Sequence, residues 1–259
     1  MLLLGLLLAL SESALAVEVV PKPRLRPPES AAGPATAMVP LPKPRPPKDD
    51  ASPPVPPSEP KSWSEAQVTE ARLTCGKLLD SLDITAEPLD PIGMPGGCGA
   101  PAPVLVSTVA GVALTPPATL TCDMAQALHG WVSGTLKPAA RDRLKTEVAA
   151  IRTATSYACR RRNNSSSGKM SEHSRANALD MAGFTFKGSK QDVAVGGGNW
   201  GEGMLAALGV SREGSFLETV RKGACTHFTT VLGPGSDPYH GDHFHVDVLR
   251  RKGDYRICQ

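Results

Sequence analysis

Between Val17 and Ser62 the chain carries 15 of its 25 prolines and no aromatic residue. No other feature so limits what this sequence can fold into. Proline fixes φ and removes a backbone donor, and without aromatic or clustered apolar side chains there is nothing to bury. Residues 17–61 are therefore expected to be an extended, polyproline-II-biased tether, with a reach on the order of 140 Å at about 3.1 Å per residue. Ahead of it, MLLLGLLLALSESALA has an apolar run from Leu2 to Leu10, then the small-x-small pattern Ala14-Leu15-Ala16. That is the form of a cleaved export signal over residues 1–16. The run is shorter than the roughly 20 residues a spanning helix needs, so no stable membrane span is expected after cleavage.

Folding is left to residues 62–259. Six cysteines, Cys75, Cys98, Cys122, Cys159, Cys225 and Cys258, are dispersed there with no C-x-x-C pair. In an exported chain, periplasmic or bound to the cell envelope, they read as disulfides, whose pairing the spacing leaves open. The formal charge of +3, with 4% aromatics, argues against a nucleic-acid partner and allows only weak attraction to an anionic wall polymer.

Order is expected from Ser62 onward, with Ser62 and Glu65 as a capping box for a helix carrying Ala71, Leu78 and Leu79. PAPVLVSTVAGVAL (101–114) has the alternation of a hairpin. Helices are expected over 121–132 and 216–225, and strands over 148–157, 178–186, 192–195, 228–232 and 243–249. This mixture lacks regular βαβ alternation, which predicts an α+β fold with a mostly antiparallel sheet and flanking helices.

HGDHFHVD (240–247) holds three of the six histidines. On a strand His243 and His245 share a face, while Phe244, Val246 and Val248 face the other way. Upstream, SEHSRANALDMAGF (171–184) supplies His173 and, seven positions later, Asp180 at the head of an apolar strand. A buried carboxylate needs a partner, and a divalent metal is one. His173, Asp180 and one histidine of the pair would give three N/O ligands and leave a fourth zinc position open, the arrangement of a catalytic site.

These residues resemble a known group. S-x-H-x(6)-D with a C-terminal H-x-H looks like the pattern of zinc D-Ala-D-Ala carboxypeptidases and dipeptidases and of murein endopeptidases, which share the hedgehog signalling fold. SYACR (156–160), SEHSRANALDMAGF and GACTHFTTVLGPGSDPYHGDHFHVD are more similar still to the extensin-like protein C-terminal domain family. The resemblance implies His173, Asp180 and His245 as zinc ligands and His243 as proton carrier. It also implies a supporting part for His240 and a substrate- or oxyanion-facing Arg160, with Arg161 and Arg162 as rivals. Ser171 is expected to brace the loop, and Asp247 to orient a ligand imidazole. Two departures stand out. Ala176 replaces the glycine usual three residues after the first histidine, and no Glu lies near H-x-H to act as base.

The function expected from this is zinc-dependent cleavage of peptidoglycan stem peptides or cross-links. The alternative is a non-catalytic wall-binding or architectural module that keeps the fold. A phosphoesterase or amidohydrolase is disfavoured because H-x-H sits near the C-terminus. Gly196, Gly198 and Gly201 spell G-x-G-x-x-G but lack a following βαβ unit, so they read as a turn beside the cleft rather than a nucleotide site. His129 and His227 read as structural.

Overall fold

The computed structural model describes residues 62–188, 192–196 and 211–259. The expected leader and tether, and Gly198 and Gly201, lie outside them. The described residues build one nine-stranded mixed sheet and three main helices, an α+β architecture in which most strand pairs are antiparallel.

Helix α1 (Glu65–Leu79) starts two residues later than the Ser62 box predicts. Ser64 is its N-cap: Gln67 N–H donates to Ser64 Oγ at 3.3 Å, and Ser64 N–H donates to Gln67 Oε1 at 3.0 Å. Ser-x-x-Gln satisfies the same reciprocal geometry as Ser-x-x-Glu, so both registers were available. None of its residues is fully buried. The Cys75–Cys122 disulfide and a Trp63 Nε1–H bond to the Ile92 carbonyl (2.8 Å) tie this end of the chain to the body.

After β1 (Ile84–Pro88) and a small separate ladder of β2 (Ile92–Gly93) and β3 (Gly99–Ala100), the expected hairpin follows. It comprises β4 (Val104–Val109) and β5 (Val112–Leu120), joined through Ala110 and Gly111. β5 continues past Leu114 across Pro116 and Pro117. Both prolines fall in a register shift between the Thr108–Ala113 and Val106–Ala118 pairs, where no ladder donor is required of them. Helix α2 (Cys122–Trp131), capped by Thr121, runs on through two wider π-type turns to Leu144, well beyond the expected end at 132.

β6 (Val148–Thr155) lies parallel to β5 and antiparallel to β7 (Ala178–Phe186). β7 then meets β8 (Val193–Ala194) at one end and β10 (Phe244–Asp247) at the other, and β10 carries β9 (Thr230–Leu232) and β11 (Ile257–Cys258) beyond it. Helix α3 (Arg212–Ala224) begins four residues before the expected Phe216, with Ser211 as N-cap.

One irregularity in β7 sets up everything that follows. Arg152 pairs with Gly183 and Thr153 with Met181, so Ala182 is an extra residue opposite the β6 step. Such a bulge shifts side-chain parity by one. Leu179 and Met181 before it, and Phe184 and Phe186 after it, all join the core, while Asp180 falls on the other face. The core rings interlock: Trp131 lies 6.2 Å from both Phe184 and Phe228, and Phe184 is 5.4 Å from Phe216, edge-on. Trp131 donates its Nε1–H to the Val220 carbonyl at 2.9 Å, which satisfies the one polar group it buries.

All six cysteines are paired, as Cys75–Cys122, Cys98–Cys159 and Cys225–Cys258. The second pins the segment entering the site, and the third ties β11 to the end of α3.

Candidate metal centre

β10 and β7 pair antiparallel with His245 directly opposite Asp180 and Phe244 opposite Met181. Alternation sends Phe244 and Val246 into the core and His245 and Asp247 to the opposite face. Asp180, on that face because of the bulge, therefore points at His245. The third member comes from a tight turn, Glu172–Arg175, whose N-cap is Ser171; the Ser171 hydroxyl accepts the His173 N–H at 3.4 Å. The turn ends at Ala176 with φ 56°. Ala176 takes this left-handed conformation at a cost of about 1 kcal/mol.

His173 Nε2, Asp180 Oδ1 and His245 Nδ1 form a triangle with edges of 3.0, 2.8 and 3.1 Å. All three residues are at most 9% exposed. The outer nitrogens fix the chemistry of the inner ones. His173 Nδ1 is 2.6 Å from the Ser156 carbonyl, which can only accept, so that nitrogen carries the hydrogen and Nε2 presents a lone pair. His245 Nε2 faces Asp247 Oδ2 at 3.4 Å, which leaves the Nδ1 lone pair inward when the ring is neutral. Three lone-pair atoms then converge with no hydrogen among them, an arrangement that requires a proton or a cation.

A zinc ion with bonds of about 2.0–2.1 Å in tetrahedral geometry separates its ligands by about 3.3 Å. The observed edges need expand by only a few tenths of an ångström, and two imidazoles with one carboxylate are ligands zinc favours. The donor set fits the metal. In its absence a proton substitutes. Burial disfavours charge on His245, but hydrogen bonds to Asp180 and Asp247 outweigh it and push its pKa up to about 9. Burial likewise acts to raise the Asp180 pKa, yet the two histidines override it and hold that carboxyl well below the usual range.

A cavity of about 770 Å³ opens over the triad. His243 stands at the mouth of β10 with Nδ1 bonded to Asp242 at 2.8 Å and Nε2 3.7 Å from Asp180 Oδ1. His240 is half-buried, its Nδ1 within 2.8 Å of both Asp237 oxygens and its ring 5.2 Å from that of His243. Burial lowers the His240 pKa against the opposing pull of Asp237. Arg160 and Arg162 line the cavity, and neither side chain has a partner among the described residues. Arg161 turns away and donates to the Gly168 carbonyl within its own loop.

Gly196 packs against the Asp242 backbone so closely that a Cβ would lie 2.6 Å from the Asp242 Cα, which makes this glycine part of the wall beside the site. His227 packs over Gly130 instead, and His129 takes no part in the triad. Sequence reasoning missed the Ser156 carbonyl, Asp237, Thr230 and Arg251. Only Asp237 left a trace, as the carboxylate three residues before His240.

The family model for the extensin-like protein C-terminus matches residues 73–259. The chain belongs to the extensin-like family. The match spans the whole candidate centre of this extensin-like domain, from the Ser156 carbonyl to Asp247. No curated protein and no solved structure matches it. Among the described residues, no helix is long and apolar enough to cross a membrane.

Proposed function

We propose that the extensin-like domain is an exported zinc-dependent peptidase, periplasmic or envelope-bound, that acts on peptidoglycan stem peptides or cross-links. The observation that carries this is the converging triad of His173 Nε2, Asp180 Oδ1 and His245 Nδ1, with both outer nitrogens already engaged. Likeness to the zinc D-Ala-D-Ala peptidases and the hedgehog-type fold is part of the same reading. When bound, zinc supplies a Lewis acid that polarises a peptide carbonyl and acidifies water.

The rest falls to side chains. His243 donates Nδ1–H to Asp242, which leaves Nε2 beside the triad to take a proton from the attacking water and return it to the leaving amine. His240, held by Asp237, is the neighbouring imidazole. The acids lining the cavity are spoken for: Asp180 and Asp247 by the triad histidines, Asp237 by His240, and Glu172 by Arg175 and Asn177. The unpartnered Arg160 and Arg162 leave the wall with free positive charge, suited to a substrate carboxylate or a developing oxyanion.

One observation favours a second reading, a non-catalytic wall-binding or architectural module. Glu172 lines the cavity, but its carboxylate is committed to Arg175 Nη1 (2.8 Å) and Asn177 Nδ2 (3.3 Å), so it is not free to act as a base. Two measurements discriminate. Metal analysis of the purified protein is expected to give about one zinc per chain, and a metal-free protein that cannot be loaded ends the peptidase reading. With zinc present, muropeptide profiles before and after incubation are expected to gain cleaved stem peptides or lose cross-links. An unchanged profile with intact wall retained on the protein selects the binding module.

A further inference from the structure

Asp247 holds the outer nitrogen of His245, and Asp247 must itself be held. Its Oδ1 accepts the Leu249 N–H at 3.0 Å and the Thr229 hydroxyl at 3.3 Å, while Oδ2 faces His245. Thr230 sits directly across the β9–β10 ladder from Asp247, so its side chain shares that face and its hydroxyl is placed to donate to the carboxylate. Thr230 and Asp247 are each 4% exposed, so these groups have little water to fall back on.

Behind Thr230 stands Arg251. Its Nη2 donates to Thr230 Oγ1 at 2.5 Å and its Nη1 to the Thr229 carbonyl at 2.9 Å. Arg251 belongs to the segment between β10 and β11, and β11 is anchored on β9 and by Cys225–Cys258. On the same strap, Arg256 Nη1 donates to the Cys225 and Phe228 carbonyls at 2.9 and 3.0 Å. The C-terminal strap thus grips the β9 edge with two guanidinium groups.

The direction of these bonds matters more than their number. A guanidinium only donates, so Thr230 Oγ1 accepts from Arg251 and its single hydroxyl hydrogen is left for Asp247. Asp247 then receives donors from Thr230 and Leu249, shares the Thr229 hydroxyl between its carboxylate and its own carbonyl, and stays an acceptor toward His245. An acceptor at that position demands Nε2–H on His245, and the Nδ1 lone pair is thereby aimed at Asp180 and His173. We propose that Arg251 is a positioning residue for the metal centre: acting through Thr230 and Asp247, it fixes the tautomer and tilt of His245. The inference rests on the metal-binding reading above.

The test uses the full chain and metal alone, without substrate. Zinc affinity is measured by chelator competition, and ligand geometry by the visible absorption of the cobalt(II)-substituted protein, for wild type, Thr230→Val, Thr230→Ser, Arg251→Ala and Arg251→Lys. Thr230→Val is expected to weaken zinc binding about 10-fold or more, and Arg251→Ala about 3- to 10-fold, each with a shifted cobalt spectrum. Thr230→Ser, which keeps the hydroxyl, is expected to stay within about 2-fold of wild type, and Arg251→Lys to recover part of the loss. Should Thr230→Val fail to fold, the half-exposed Arg251 carries the test. Wild-type affinity and spectrum in a folded Arg251→Ala protein overturn the proposal while leaving the metal centre standing. A wild-type chain that binds neither zinc nor cobalt overturns the metal reading itself, and this inference with it.

Discussion

Two sides of one cavity are built by different means. The floor, Asp180 and His245, rides on paired strands in which each residue sits directly opposite the other and the Phe244 and Val246 that flank His245 are locked in the core. The wall, Asp237 to His243 together with Arg160 to Asn164, rides on loops, held by short carboxylate–imidazole contacts and by Asn163 and Asn164 in left-handed conformations. A ladder holds its side chains in place more firmly than a loop does. A loop leaves its charged and titratable groups free to meet a ligand. On the proposed reading, two of the three metal ligands fall to the rigid part, with His173 brought beside them by its capped turn, and proton transfer and recognition fall to the adaptable part.

Changes to the three triad residues should accordingly be all-or-none. His173→Ala, Asp180→Ala and His245→Ala are each expected to abolish stoichiometric zinc by metal analysis, and retention of one zinc per chain in any of them would falsify the triad. A change on the wall should separate binding from turnover. His243→Gln is expected to keep the zinc and lower peptide cleavage by about 10²- to 10⁴-fold, the usual span for a lost proton carrier. Loss of metal in that variant would move His243 onto the floor.

Between the two lies the Cys98–Cys159 bridge, which closes a separation of 61 residues and holds the strand end that carries the Ser156 carbonyl. By chain entropy its removal is expected to destabilise the domain by about 4 kcal/mol. Denaturant titration of the Cys98→Ser/Cys159→Ser protein checks this, and an unchanged midpoint would mean that the sheet alone holds the loop.

In the metal-free protein the floor should also be pH-sensitive in a defined sense. The folded pKa of His245, about 9, exceeds its ordinary value near 6.5. Its stabilisation is therefore fully present below about pH 6.5 and lost as pH rises through about 9. Asp180 works the other way: its depressed pKa contributes stability above about pH 4 that is lost on acidification. Chelator-treated protein should unfold at lower denaturant at pH 9 than at pH 6.5, with the difference reduced in His245→Gln; equal midpoints would contradict the protonated bridge. The smallest effect concerns Ala176→Gly. Release of roughly 1 kcal/mol of left-handed strain is offset by loss of a buried methyl worth about 0.8 kcal/mol, so the midpoint should barely move. A shift well beyond 1 kcal/mol would show that the His173 turn is held differently.

The sequence made the floor readable and the wall only partly so. His243-x-His245 yields to strand parity, and a carboxylate heading an apolar run announces a burden that needs a partner; both depend on local periodicity, which a chain displays openly. The Ser156 carbonyl is backbone and leaves no residue signature. Thr230 and Arg251 are ordinary residues whose meaning comes from the pairing of β9 with β10 and β11, a long-range fact. The same holds for fold elements. β7 was expected with the right ends because its pattern is local, whereas β5 continues through two prolines only because a register shift excuses them. The α1 cap slipped by two residues because Ser62–Glu65 and Ser64–Gln67 are equally good boxes on paper.

The extra residue in β7 has a last consequence, which is arithmetical. Asp180 and Phe184 are four positions apart, an even count that in a regular strand would put carboxylate and phenyl ring on one side. Ala182 makes the count odd in space. A chain shortened by that one alanine could keep its acid facing the histidines or its rings beneath the helices, but not both, so deleting a residue that offers no ligand atom would force this domain to choose between its chemistry and its core.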